Sequence, residues 1–416
     1  MGTGGRLRRY LPLLLFAAAH ALIFRFLLGS GNSVFSDRAS DIFNGLLPYR
    51  DFVLEYPPLS LAVLLPPRLF AQDFWGYGRA FSYEMLLLDL AVLVLIYLLA
   101  LRLGRSPWLA LAVYTAVLLS TGSLAAQRYD LFPAALVLLA VYCLSRGKHT
   151  WCWAALALGT TAKLYPLLLV PLLGIYQVSR RDYKGLVKGV AAFLIITTGI
   201  MLPWVLLSPG GFWESFQFQL VRGLQIESTY ASGLLVAENL GSTSLGVEFR
   251  HGGIDLVSPS ADILARCSTW AMLAALAAVY LLYARSRRRC AGTTQETASQ
   301  GSQEWNGMLV YFPLAIAAFL LTSKVLSPQF LLWLTPLVPL IGGRGRWWLW
   351  LLFIGIGGLT QYIFPHSYYD LMDLKPNAVA ALTARNALLV LFTCLLVRRA
   401  ARTMPQLPSS VKGEGY

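Results

Sequence analysis

Long apolar runs separated by short polar segments make up most of this sequence. A helix of roughly 17–25 apolar residues is long enough to cross a bilayer. Counting the shorter runs as well, the pattern predicts an all-α, polytopic membrane protein with about twelve spans. The predicted spans are residues 11–29, 82–101, 107–123, 131–145, 151–162, 167–178, 189–207, 263–284, 307–322, 330–342, 347–362 and 380–397.

Three pairs of these runs are short for a bilayer and read as hairpins whose turns carry Arg128, Lys163 and Lys324. Because the flanking helices are short, the turns should lie below the membrane surface. Polar turns at that depth are tolerated where they line a cavity. We therefore expect Arg128 and Lys163 to face one shared, water-filled cavity.

The pattern also predicts the domain organisation: residues 1–400 form a single transmembrane domain whose outer loops carry short helices. Residues 59–70 are apolar but interrupted by Pro66-Pro67, which favours an interfacial or re-entrant segment over a span. Residues 401–416 are polar and are predicted to be a disordered cytoplasmic tail. The outer loops are residues 30–80, 208–262 and 361–379.

Composition supports the membrane assignment. The chain is 57% hydrophobic and 13% charged, with a mean hydropathy of +0.60, whereas a soluble domain has about 25% charged residues. The net charge of +14 does not indicate a nucleic-acid partner, because the charges form short clusters between apolar runs. Of the 34 Lys and Arg residues, 21 fall on the side of the N-terminus. Both termini are therefore predicted to be cytoplasmic, in a multi-pass protein of the cell membrane.

Acidic residues concentrate on the other side, above all in the segment that follows the first span. Asp37 and Asp41 are four residues apart and would share one face of a helix. A carboxylate at the membrane interface is partly desolvated, which raises its pKa and makes it a better proton acceptor. Both are candidate catalytic bases. The alternatives are an ordinary solvated loop, or Asp37 capping a short helix.

Basic residues on the same predicted face could bind a phosphate. Fixed cations stabilise the charge of a departing phosphate, but a Lys near a helix end can instead reach towards the lipid headgroups. His366 lies among aromatic residues and could bind substrate or belong to an interfacial aromatic belt. The candidate binding residues are Arg128, Lys163, Arg222, Lys324, His366, Glu55 and Glu227.

Cofactor signals are weak in this sequence. No His, Cys and Asp spacing is typical of zinc, and no Walker-type glycine loop occurs. We expect no cofactor; a divalent cation is not indicated, although its need stays open.

Five segments together resemble the polyprenol-phosphate-sugar-dependent glycosyltransferases of the GT-C superfamily, and most closely glycosyltransferase family 87. The similarity extends over roughly residues 10–395. The segments are FSDRASDIFNGLLPYRDFVLEYPPL, RYDLFPAALVLLA, GTTAKLYPLLLVPLL, RGLQIES and LSPQFLLWLTPL.

The resemblance implies an inverting transfer outside the cytoplasm, from a polyprenyl-phosphate-linked sugar, often mannose, to a lipid or glycan acceptor. An acidic residue in the first outer loop acts as general base in such enzymes, and that role carries over best to Asp37. The sequence departs from the family in one respect, because members commonly have an Asp further upstream and here GSGNS has none. Either Asp37 is the general base, or Asp41 is, or the activity has diverged.

Two other classes of function compete with this interpretation. A transporter or lipid flippase would place ionisable residues near the bilayer midplane and contain inverted repeats. A non-catalytic subunit of a membrane assembly would direct Asp37 and Asp41 away from any cavity.

Overall fold

The structure is a computed structural model that describes residues 3–28, 33–291, 305–343 and 345–402. Apart from its first two residues, the predicted tail at 401–416 lies outside the described residues. So does most of the GSGNS segment.

Helices dominate the described part of the chain. The first nine are α1 Thr3–Leu27, α2 Ser33–Phe43, α3 Leu61–Leu64, α4 Pro66–Phe70, α5 Phe74–Arg102, α6 Pro107–Thr121, α7 Leu124–Gln127, α8 Leu131–Ser145 and α9 His149–Ala162. The others are α10 Val170–Ser179, α11 Tyr183–Leu207, α12 Pro209–Leu220, α13 Thr229–Asn239, α14 Pro259–Ala291, α15 Met308–Thr322, α16 Arg346–Gln361, α17 Tyr368–Met372 and α18 Pro376–Arg402.

Seven of the described helices are long and apolar enough to cross a membrane, so the predicted polytopic helical fold is confirmed. The count of about twelve spans stays a prediction, because the remaining predicted spans are too short to qualify by length. The seven are Tyr10–Leu27, Phe74–Arg102, Tyr183–Leu207, Pro259–Arg288, Trp305–Thr322, Arg346–His366 and Pro376–Arg402.

Two proline-rich segments differ from regular helices. The predicted span at 330–342 is not an α-helix but two 3₁₀ segments, Pro328–Trp333 and Val338–Leu340, joined by turns. Its prolines have no backbone N–H to donate and so prevent a continuous α-helix. The segment with Pro66-Pro67 is interrupted as predicted, between α3 and α4.

The long loop between α12 and α14 contains a small antiparallel sheet, which the sequence analysis did not predict. Its strands are β1 Leu224–Gln225, β2 Gly246–Arg250 and β3 Gly253–Val257, in the order β1-β3-β2. Leu224, Leu256 and neighbouring apolar side chains pack with α13 and α18 in a core of their own. We call this end of the helix bundle the sheet end.

A buried polar network joins α1, α5 and α6 inside the bundle. His20 Nδ1 lies 2.6 Å from Asp89 Oδ2, and its Nε2 lies 2.8 Å from the Thr115 hydroxyl. The Tyr114 hydroxyl donates to Asp89 Oδ1 at 2.7 Å. Satisfied in this way, the polar groups can fix how these helices pack without leaving a buried charge unpartnered.

Candidate active site

The five segments that carry the family resemblance meet at the sheet end. Asp130 of RYDLF accepts hydrogen bonds from Lys163 Nζ at 2.6 Å and from Trp333 Nε1 at 2.7 Å. Tyr165 stacks on Trp333, with ring centroids 4.1 Å apart. Three turns that are distant in sequence are thus fixed to one another through a single buried carboxylate.

Lys163 is largely enclosed by these contacts. Its Nζ lies 4.8 Å from the ring centroid of Tyr129 and 5.4 Å from that of Phe330. Burial lowers the pKa of Lys163, while the Asp130 carboxylate opposes that change. The first role of this ammonium is therefore to pair with Asp130 inside an aromatic box.

An aromatic contact places α2 beside this group. The Phe35 ring packs edge-on against Tyr56 and Tyr129, at 5.8 and 5.7 Å between centroids. Tyr56 itself lies 5.1 Å from Tyr129. Burial raises the pKa of Tyr56 to about 12, and the nearby Arg128 opposes this shift. The acidic first loop therefore packs against the RYDLF turn.

The RGLQIES segment joins the site through Gln225. The backbone N–H of Gln225 donates to the Lys324 carbonyl at 3.0 Å, and its side-chain oxygen accepts from the backbone N–H of Leu326 at 2.8 Å. Its amide nitrogen donates to Glu227 Oε2 at 3.2 Å. The turn after α15 is thereby fixed to the second residue of β1.

Glu227 is a buried carboxylate, 1% exposed, with an unusual pKa. Burial raises the pKa of Glu227 to about 7, although Arg385, a hydrogen bond from Tyr368 and the more distant Arg222 and Arg128 all favour its charged form. Arg385 Nη2 donates to the Glu227 carbonyl at 2.9 Å and so fixes the backbone of this residue against α18. Glu227 can change its protonation state near neutral pH.

Two arginines face this region without a carboxylate partner. Neither Arg128 nor Arg222 forms a salt bridge with any residue that the structure describes. Arg222 is 8% exposed, and its buried Nε has no hydrogen-bond partner. Burial lowers the pKa of Arg222, and Asp255 opposes that change. The guanidinium of Arg128 lies 5.9 Å from the Phe364 ring centroid.

We call Arg128, Asp130, Lys163, Arg222 and Glu227 the central cluster. Its members are near enough to affect each other, since Arg128 and Arg222 both add to the lowering of the Lys163 pKa. Arg128 and Lys163 therefore lie near each other, while the shared, water-filled cavity stays a prediction. A buried guanidinium that forms no salt bridge is typical of a site that binds an anionic ligand.

Lys324 lies at the edge of the central cluster. Its Nζ donates to the Leu220 carbonyl at 2.7 Å. Burial lowers the pKa of Lys324, Asp255 opposes the shift, and Arg222 adds to it. It is therefore a neighbour of Arg222 rather than of Lys163.

The candidate bases belong to a second, more exposed group that we call the α2 cluster: Asp37, Arg38, Asp41 and Glu55. Arg38 donates to Glu55 at 2.7 Å and lies 3.7 Å from Asp41. Asp37 is exposed and makes no hydrogen bond or ion pair with a described residue. Of the two aspartates, Asp37 therefore has the carboxylate that is free to accept a proton.

His366 is exposed and has no polar partner among the described residues. It follows Phe364, which contacts Arg128, so its loop adjoins the central cluster while its ring does not enter it.

Several polar residues of the site were not among the predicted site residues. They are Asp130, Asp255, Tyr56, Tyr368 and Arg385. Arg385 had a usable signal, because one arginine inside an apolar helix is costly unless it has a specific partner.

No three His, Cys, Asp or Glu side chains in the described ranges are grouped as metal ligands. The need for a divalent cation stays open.

Comparison with known proteins identifies the family. The sequence model of Glycosyltransferase family 87 matches residues 52–299. No curated protein is significantly similar to the chain. Among solved structures, the crystal structure of ArnT from Cupriavidus metallidurans in the apo state shares 14% identity, with a TM-score of 0.47, over 94% of this chain and 77% of that one. The family match covers more than half of the chain and confirms the predicted resemblance: this membrane protein belongs to glycosyltransferase family 87.

Proposed function

We propose that this glycosyltransferase transfers a sugar, mannose in the first instance, from a polyprenyl-phosphate-linked donor to a lipid or glycan acceptor outside the cytoplasm. The observation that carries the proposal is the pair Arg128 and Arg222, two arginines without salt bridges beside one buried site. Bound there, the donor phosphate would supply the salt-bridge partner that neither arginine has among the described residues.

The chemistry is a single inverting displacement. The acceptor hydroxyl oxygen attacks the anomeric carbon, and the bond from that carbon to the phosphate oxygen breaks with its electron pair leaving on the phosphate. Arg128 and Arg222 stabilise the charge that develops on the phosphate. Asp37 takes the acceptor proton, because its carboxylate is exposed and unpaired while that of Asp41 faces Arg38.

An apolar cleft supports a lipid-linked donor. A cleft of about 270 Å³ lies between α14, α15 and α18, with a lining that is almost wholly apolar. Its lining includes Leu282, Ala318 and Val397, and one end reaches Thr322, two residues before Lys324. A polyprenyl chain lying there would bring its phosphate towards Lys324 and Arg222.

The direct test is transfer by purified protein from polyprenyl-phosphate-mannose. We expect Arg128→Gln and Arg222→Gln each to raise the KM for this donor by roughly ten- to a hundredfold, because each variant loses charge-assisted hydrogen bonds to the phosphate. Arg50→Gln is the matched control, since Arg50 is exposed and pairs only with its neighbour Asp51. Unchanged KM in both variants, or no transfer from any polyprenyl-linked sugar, would remove the proposal.

A further inference from the structure

A second cationic site lies at the end of the bundle opposite the sheet. The helix α14 has 33 residues and therefore extends for about 50 Å from the sheet to that end. There a cleft of about 400 Å³ opens between α10, the start of α11 and α14. Arg181, Arg287 and Arg288 line it, together with Ser179 and Tyr183.

The lining of this cleft combines charge with an apolar wall. Ile175, Val178 and Ala284 supply the apolar part. Arg287 Nε donates to the Ser179 hydroxyl at 2.9 Å, and its guanidinium lies 5.4 Å from the Tyr176 ring centroid. None of the described residues that line the cleft is acidic.

The nearest acid in sequence is engaged elsewhere. Asp182 Oδ1 accepts from the backbone N–H of Gly185 at 2.9 Å, and its Oδ2 lies 3.1 Å from His149 Nδ1. These contacts hold the pKa of Asp182 below its usual value, the Gly185 hydrogen bond contributing most. This carboxylate caps α11 instead of pairing with Arg181.

The backbone of Arg181 gives an independent reason to expect a role for its side chain. Arg181 adopts a left-handed conformation, with φ of 56°, at the turn that ends α10. The turns that end α5 and α8 have the same hydrogen-bond pattern, and there the equivalent residues are Gly104 and Gly147, with φ of 62° and 68°. Glycine is the ordinary residue at this position, because a side chain makes the conformation unfavourable. In the third turn an arginine stands there and lines the cleft.

We propose that this cleft binds the phosphate headgroup of an anionic phospholipid. Arg181 and Arg288 would bind the phosphate while Ile175, Val178 and Ala284 meet the start of an acyl chain. Basic pockets between membrane helices suit such headgroups. Under the predicted topology this lipid belongs to the cytoplasmic leaflet, away from the transferase site.

The test is native mass spectrometry of the full chain with phosphatidylglycerol and phosphatidylcholine of identical acyl chains. We expect selective retention of phosphatidylglycerol, weakened on the order of 30-fold in Arg181→Gly/Arg288→Gln, since each basic residue at an anionic headgroup contributes about fivefold. In the absence of lipid, Arg181→Gly alone should not lower the Tm of the protein, because glycine suits that turn. This separates loss of the ligand from loss of the fold.

Arg285→Gln is the control for Arg288→Gln alone, because each change removes one charge from α14, and the exposed Arg285 does not line the cleft. Equal retention of both lipids, or equal weakening by Arg285→Gln, would show unspecific surface attraction and overturn the proposal. Displacement of the lipid by inorganic phosphate at similar concentration would overturn the lipid source and identify a site for a soluble phosphate.

Discussion

The α2 cluster and the central cluster lie at the same end of the protein but differ in how their charges are satisfied. In the α2 cluster, Arg38 binds Glu55 while Asp37 remains exposed and unpaired. In the central cluster, Asp130 is 1% exposed and binds both Lys163 and Trp333. A buried charge requires partners, whereas an exposed one does not. We therefore expect proton transfer in the first group, and phosphate binding and structural pairing in the second.

The sharpest test of this division is Asp37→Asn. The amide keeps the shape of the side chain but cannot take the proton from the hydroxyl of the sugar acceptor. The kcat should therefore fall by about 10²–10⁴-fold. The Tm should not change, because Asp37 has no partner to lose. Asp51→Asn controls for charge in the same loop, since Asp51 pairs with the exposed Arg50. A larger loss in Asp41→Asn than in Asp37→Asn would transfer the role of base to Asp41.

The central cluster should instead respond in stability. Lys163→Met leaves the buried Asp130 carboxylate without its cation, which should lower the free energy of unfolding by roughly 3–5 kcal/mol. In Asp130→Asn/Lys163→Met the uncompensated charge is gone, and the Asn oxygen can still accept from Trp333. Denaturation of the wild type, Lys163→Met, Asp130→Asn and the double variant in one detergent gives the coupling energy. Additive losses would mean that the pair is not coupled.

The same variants decide whether Lys163 also binds the donor. If the ammonium only pairs with Asp130, the KM for the donor should stay near that of the wild type in the double variant. A large rise in KM there would support the original prediction that Lys163 binds phosphate.

Some parts of the fold and of the site could be predicted from the sequence, and others could not. Hydropathy depends on local composition, so the seven long helices and the grouping of Arg128, Lys163, Arg222 and Lys324 near one end follow from the pattern. The Asp130–Lys163 pair joins residues 33 positions apart through the fold, and no spacing rule predicts it. The proline-rich segment after Lys324 is predicted to be a helical span because its residues are mostly apolar. That prediction is wrong for an α-helix, since Pro336 and Pro339 have no backbone N–H to donate.

A smaller change tests the position of Arg222 without removing it. A Cβ on Gly253 would come within 2.7 Å of Arg222 Nη2, so Gly253→Ala should displace the guanidinium. We expect the KM for the donor to rise roughly tenfold, as for one charge-assisted hydrogen bond lost. The Tm should hardly change, because the end of a flexible side chain moves more easily than backbone. Gly233→Ala is the control, since a Cβ there meets no atom within 4 Å.

The weakest expected effect concerns pH and Glu227. Burial raises the pKa of Glu227 to about 7, so this carboxyl is mainly protonated below neutrality and mainly ionised above it. A donor phosphate beside Arg128 and Arg222 would repel the ionised form and favour the protonated one. By linkage, the donor then binds more tightly at low pH, and its KM should rise several-fold, at most about tenfold, as pH increases through 7.

The donor phosphodiester keeps its single charge throughout this pH range, so the dependence must come from the protein. Tyr368, Arg385, Arg222 and Arg128 also face Glu227, but tyrosine and arginine do not titrate near neutrality. Glu227→Gln should therefore give a donor KM that is flat between about pH 6 and 8. If the variant kept the wild-type slope, Glu227 would not be the titrating group, and the phosphate would have to lie away from this side of the central cluster.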